Sequence, residues 1–112
     1  MKNLEISYLM DFYGNLLSDK QRDIMELYYG EDLSLAEIAS EVGITRHGVR
    51  DNIVRAEKEL IGFENALGLF KKFSRITSNF SEIRNIIKPG MCITDDEYNK
   101  IISIIDEVEN DM

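Results

Sequence analysis

SLAEIASEVGITRHGVRDNIVRAEKEL, residues 34 to 60, reads as a helix, a glycine-centred turn and a second helix. Ser34 is placed to cap the first helix with Glu37 three positions on, and Leu35, Ile38, Ala39 and Val42 recur at helical spacing. Gly43 permits the sharp turn, and Thr45 caps the second helix. Small Ala39 allows close helix approach, while Ile44, Val49 and Ile53 supply the apolar wedge between the two helices. This is the outline of a helix-turn-helix reader of nucleic acid, although a bare helical hairpin shares much of it.

The stretch ahead, LLSDKQRDIMELYYGEDLS (16–34), tips the balance. Ser18 and Gln21 form a second capping box, Ile24, Leu27 and Tyr28 follow at helical spacing, and Gly30 is placed to end the helix. A support helix, a short acidic link and a helix-turn-helix opening on Leu35-x-Glu37-Ile38-Ala39 resemble the promoter-reading C-terminal domain of bacterial sigma factors over residues 16 to 60. The N-terminal LEISYLMDFYGNLLS, the Glu-Ile-Ala and Gly-Ile-Thr-Arg elements, Asp51-Asn52-Ile53, Arg55 and a long acidic helical tail extend the likeness to nearly the whole chain. In these features the chain resembles the YlxM family of small bacterial proteins. That resemblance implies a sigma-like helix-turn-helix and a link to the signal recognition particle, with its RNA and its GTPase as partners, or a regulatory role on DNA. Two residues depart from the expected pattern: Asn52 stands where recognition helices usually carry an apolar residue, with Ile53 taking over the stripe, and Arg50 replaces an aromatic.

Composition narrows the function classes. A chain of 112 residues suits one domain, enough to bury roughly two thirds of its unfolded surface. No apolar run approaches the ~20 residues of a membrane span, and the N-terminus lacks the pattern of a secretory signal. Cys92 is the only cysteine and His47 the only histidine, which argues against an internal disulfide and structural zinc and fits a reducing cytoplasm. The thiol reads as a small packed hydrophobe. Asp95, Asp96 and Glu97 read as first-turn charges complementing a helix dipole rather than a cation site. No phosphate-cradling glycine loop and no paired nucleophile and base occur, so the expectation is a noncatalytic protein without cofactors.

The net charge of −8 opposes generic binding to phosphate backbones, but its distribution matters: residues 1–43 carry −6, residues 44–93 carry +4 and residues 94–112 carry −6. With Val49, Ile53, Ala56 and Leu60 inward, the helical period leaves Arg46, His47, Arg50, Arg55 and Lys58 available to a groove. Arg46, His47 and Arg50 are the candidates for base edges, and Arg55 and Lys58 for phosphates. Each has an ordinary alternative as a solvated cation or a partner of Asp51, Glu57 or Glu59. DNA and RNA are not distinguished by these side chains.

The architecture expected is all-α over residues 1–112, with a helix-turn-helix core at 16–60 and a helical extension at 61–112. Helices are expected near 3–13, 19–29, 35–42, 46–74, 80–88 and 95–110, with a turn at Ser78-Asn79 and a break at Lys88-Pro89-Gly90. Thr94 and Glu97 form a third capping box. Val49, Ile53, Ala56, Leu60, Phe63, Leu67 and Phe70 make a heptad seam along the long helix, and Tyr98, Ile101, Ile102, Ile105 and Val108 give the last helix an apolar face. These stripes bury against one another within the chain, or pair with a second copy. The quantity of Ile, Leu and Phe favours a homodimer. A protein-interaction module that uses its acidic thirds against basic surfaces is the competing reading.

Overall fold

The computed structural model describes residues 3–90 and 92–111, all helices and connecting segments. The order is α1 (Leu4–Tyr13), a 3-10 turn (Gly14–Leu16), α2 (Asp19–Met25), a π turn (Glu26–Gly30), α3 (Leu35–Val42), α4 (Arg46–Leu67), α5 (Leu69–Ile86) and α6 (Asp95–Asp111). The chain divides into two compact units, Met1–Phe70 and Lys71–Met112. Residues 61–70 of the expected extension therefore belong with the helix-turn-helix unit.

Local chemistry sets most helix starts. Asn3 accepts from the Glu5 amide at 2.9 Å, and Ser18 with Gln21 and Ser34 with Glu37 close reciprocal capping boxes. Thr45 Oγ1 accepts from the Gly48 N–H at 3.0 Å. Thr94 and Glu97 cap α6 in the same way, with the Glu97 amide donating to Thr94 Oγ1 and Glu97 Oε1 accepting from the Thr94 amide, both at 3.1 Å. Each satisfies amides that a helix leaves without intrahelical partners.

In the first unit α4 packs against α1, α2 and α3. The core joins Ile6, Leu9 and Tyr13 of α1, Ile24 and Met25 of α2, Ile38 and Ala39 of α3, and Val49, Ile53, Ala56 and Leu60 of α4. The seam of α4 is thus consumed inside its own unit rather than left for a partner helix. Phe63 and Phe70 extend it as partly buried rings: Tyr13 lies 5.9 Å from Phe63, and Phe12 meets Phe70 edge-on at 6.0 Å. Leu67 is exposed.

Three expectations are corrected. The long helix stops at Leu67, because Gly68 takes the left-handed conformation (φ 65°) and its N–H returns to Glu64 O at 2.8 Å. The first amides of α5 are then met by side chains: Leu69 N–H donates to the Tyr13 hydroxyl and Phe70 N–H to Glu64 Oε1, both at 3.0 Å, while the Tyr13 hydroxyl itself donates to Glu64 Oε1 at 2.7 Å. Helix α5 runs through Ser78-Asn79 without a turn, since these residues disfavour a helix only mildly and the break is already made at Gly68. The helix expected to end at Gly30 closes through the π turn, with Glu31 N–H reaching Glu26 O, and Asp32 rather than Gly30 takes the positive φ (57°).

The second unit is an α5–α6 hairpin. Arg75 pairs with Asp111 at 3.1 Å and Lys100 with Glu82 at 3.6 Å, so the two helices run antiparallel. Ile101, Ile104 and Val108 of α6 are its buried side chains among the described residues, and none on α5 is fully buried. Cys92 is exposed, not packed as expected, and Ile87 and Ile93 of the same connection are exposed with it. Met91 lies outside the described residues.

Candidate nucleic-acid interface

The turn between α3 and α4 is built by Gly43 at φ 80°, whose N–H and that of Ile44 both return to Ala39 O, at 2.9 and 3.2 Å. A Cβ at Gly43 would meet no atom within 4 Å. Glycine is therefore selected by backbone conformation and not by crowding. Ile38 and Ala39 on one side and Val49 and Ile53 on the other are buried, with Leu35 and Ile44 half-buried around them. Asn52 does not interrupt the stripe: its Nδ2 donates to Gly48 O at 2.8 Å along the helix, and Ile53 takes the inward place.

With Val49, Ile53, Ala56 and Leu60 fully inward, the rotation of α4 is fixed and its opposite side faces solvent. Arg46, His47, Arg50, Arg55 and Lys58 are all exposed. Arg50, Asp51, Val54 and Arg55 line a shallow open depression. His47 Nε2 sits 3.6 Å from Asp51 Oδ2 one helical turn on, so the sole histidine is drawn toward a carboxylate. Among the described residues, no ion pair joins Arg46, Arg50, Arg55 or Lys58 to a carboxylate of the same helix.

One contact that shapes this face is long-range. Tyr29, in the π turn, donates its hydroxyl to Glu57 Oε2 at 2.6 Å. Its pKa is raised above the ordinary value of 10.0, first by burial and then by that carboxylate. The bond ties Glu57 of α4 to the π turn. Tyr28 meets Tyr29 edge-on at 5.1 Å, so the pair serves packing and positioning. Twenty-eight residues separate Tyr29 from Glu57, and nothing in local spacing announces the contact.

A second surface has the opposite sign. Between the α2–π segment and α3 lies an open groove with Leu27 and Val42 in its lining, beside Asp23, Glu26, Glu31 and Glu41 and a single cation, Lys20. Among the described residues, no cluster of His, Cys, Asp and Glu is arranged to hold a metal ion, and no helix is long and apolar enough to cross a membrane.

The family model described as "helix-turn-helix protein, YlxM / p13 like" (UPF0122) matches residues 1–106. The chain belongs to this family. A UPF0122 protein of Shouchella clausii is 42% identical over 108 residues, covering 96% of this chain and 94% of that one. Another, of a Thermoanaerobacter species, is 41% identical over 110 residues, 97% and 92% of the two chains. A third, of Desulforamulus reducens, is 46% identical over 83 residues, 74% and 71%. Family membership and the helical architecture agree on a helix-turn-helix protein, and the match extends beyond residues 16–60 into both flanking segments.

Proposed function

We propose that this chain is a noncatalytic, nucleic-acid-binding regulatory protein of the cytoplasm, acting as a homodimer and reading its polymer through α4. The observation that carries the reading is the set of exposed cations, Lys58 opposite the core and Arg46, Arg50 and Arg55 on the flanks, on the second helix of a helix-turn-helix whose inward stripe, Val49, Ile53, Ala56 and Leu60, is buried. Arg46, His47 and Arg50, in the first turns, are placed for base edges, and Arg55 and Lys58 for phosphates. The overall charge of −8 keeps the affinity modest and the footprint local. The resemblance to YlxM proteins supports a place in the signal recognition particle pathway, with the particle's RNA as one polymer and its GTPase as a protein partner; duplex DNA is the other polymer.

The test is a mobility shift at low salt with duplex DNA and with the particle's RNA. The wild-type chain is expected to shift at least one, and the double reversal Arg46→Glu, Arg50→Glu to weaken that binding about a hundredfold or more. Absence of any shift with either polymer overturns the reading.

A second reading rests on the acidic groove at Asp23, Glu26, Glu31 and Glu41: a protein-interaction module that receives a basic partner surface. Binding to the particle's GTPase that survives the α4 reversals and is lost on Glu26→Lys with Glu31→Lys favours it.

A further inference from the structure

The α5–α6 hairpin leaves large apolar side chains exposed on both of its helices. Phe73 (56% exposed), Phe80 (49%) and Ile87 follow at intervals of seven residues along and just beyond α5, and Tyr98 (59%), Ile102 and Ile105 are exposed on α6. These positions share a side. At about 100° per residue, the exposed apolar row on α5 is displaced by roughly a quarter turn from the row of half-buried Ile76, Ile83 and Ile86. The exposed row on α6 is displaced in the same rotational sense from buried Ile101, Ile104 and Val108. Because the ion pairs Arg75–Asp111 and Lys100–Glu82 fix the helices as antiparallel, equal rotational senses put both rows on one face of the hairpin.

A two-helix unit of this size, with three buried side chains among the described residues, cannot cover its apolar surface alone. Charge indicates what covers it. Helix α5 carries four cations against one anion, and α6 carries seven anions against one cation. A uniformly charged partner would suit one helix and be repelled by the other, whereas a second copy of the hairpin offers both signs. Two twofold arrangements stack these faces with helices aligned. An axis perpendicular to the helices lays α5 on α5, basic on basic, and α6 on α6, acidic on acidic. An axis parallel to the helices lays α5 of each copy on α6 of the other, running antiparallel.

We propose that two copies of the chain associate through this hairpin face, forming a four-helix bundle in which α5 of one copy packs against α6 of the other. This gives the homodimer of the proposed function its surface. It is independent of nucleic-acid binding by α4. The heptad interval along α5 is the spacing such packing uses, and opposite charges across the two contacts set its register.

The test uses the full chain. Light scattering after gel filtration at micromolar concentration is expected to give twice the 12.9 kDa chain mass. Phe80→Glu is expected to weaken association at least about tenfold, and Leu67→Glu, at an exposed residue of the first unit, to leave it unchanged. The chain contains no Trp, so Phe80→Trp supplies a gentler probe that keeps the fold: its emission shifts to the blue as concentration rises through dimer formation. A wild-type chain that stays at single mass, emission independent of concentration, or dissociation by Leu67→Glu and not by Phe80→Glu, each overturns the proposal. Loss of the dimer surface with retained polymer shift counts against this surface only, and a dimer that shifts no polymer counts against the α4 reading only.

Discussion

The two units bury their apolar faces differently. In the first, every helix delivers side chains to a common core, and Ile24, Met25, Ile38, Val49, Ala56 and Leu60 lose all solvent contact. In the second, two helices of similar apolar patterning keep Phe80, Ile87, Tyr98 and Ile102 exposed. The difference lies in partners and not in sequence type: α4 has three helices packed around it, whereas α5 and α6 have only each other within their unit. A heptad seam therefore does not announce a dimer by itself; along α4 it was answered from within the chain.

The sharpest contrast should come from truncating one side chain in each unit. Leu60→Ala, at a site with no exposure, is expected to cost about 2–5 kcal/mol, read from urea denaturation. Ile83→Ala, half-buried on α5, is expected to cost about 1 kcal/mol. Equal costs would break the comparison. The Tyr13 latch comes next: Tyr13→Phe strips a partner from Leu69 N–H and from Glu64, an expected loss of about 1–3 kcal/mol.

The same tyrosines give a pH dependence. Burial and the adjoining carboxylates raise the Tyr13 and Tyr29 pKa values above 10.0. The folded state then holds these protons more tightly than the unfolded chain, so their stabilisation is complete below pH 10 and is lost as pH rises beyond it. Thermal melts from pH 9 upward should show a fall that Tyr13→Phe with Tyr29→Phe flattens. Smaller is the effect of the α3 cap. Ser34→Ala is expected to cost about 1 kcal/mol. Hydrogen bonds from Ser34 hold the Glu37 pKa below its ordinary value, so the contribution of Glu37 is present above the usual carboxylate range and lost as pH falls through it.

What the sequence made legible was local. Ser18-Gln21, Ser34-Glu37 and Thr94-Glu97 act across three residues, and each box forms as spacing requires. The inward stripe of α4 and the Gly43 turn follow from period and backbone freedom in the same way. The side-chain contacts that close the junction at Gly68 were hidden, because Tyr13 lies 51 residues from Glu64 and 56 from Leu69. The hold of Tyr29 on Glu57 was hidden for the same reason. On the candidate interface, composition located the cations, while their freedom from helix-neighbour carboxylates depended on side-chain geometry.

The salt dependence of polymer binding tests the role of α4 most directly. Log affinity of the full chain for its polymer is expected to fall linearly with log salt concentration. Arg55→Ala and Lys58→Ala, at exposed positions, are each expected to reduce that slope by about one while leaving the dimer intact. A slope unchanged by both substitutions, or binding indifferent to salt, would contradict the assignment of these side chains to phosphate contacts.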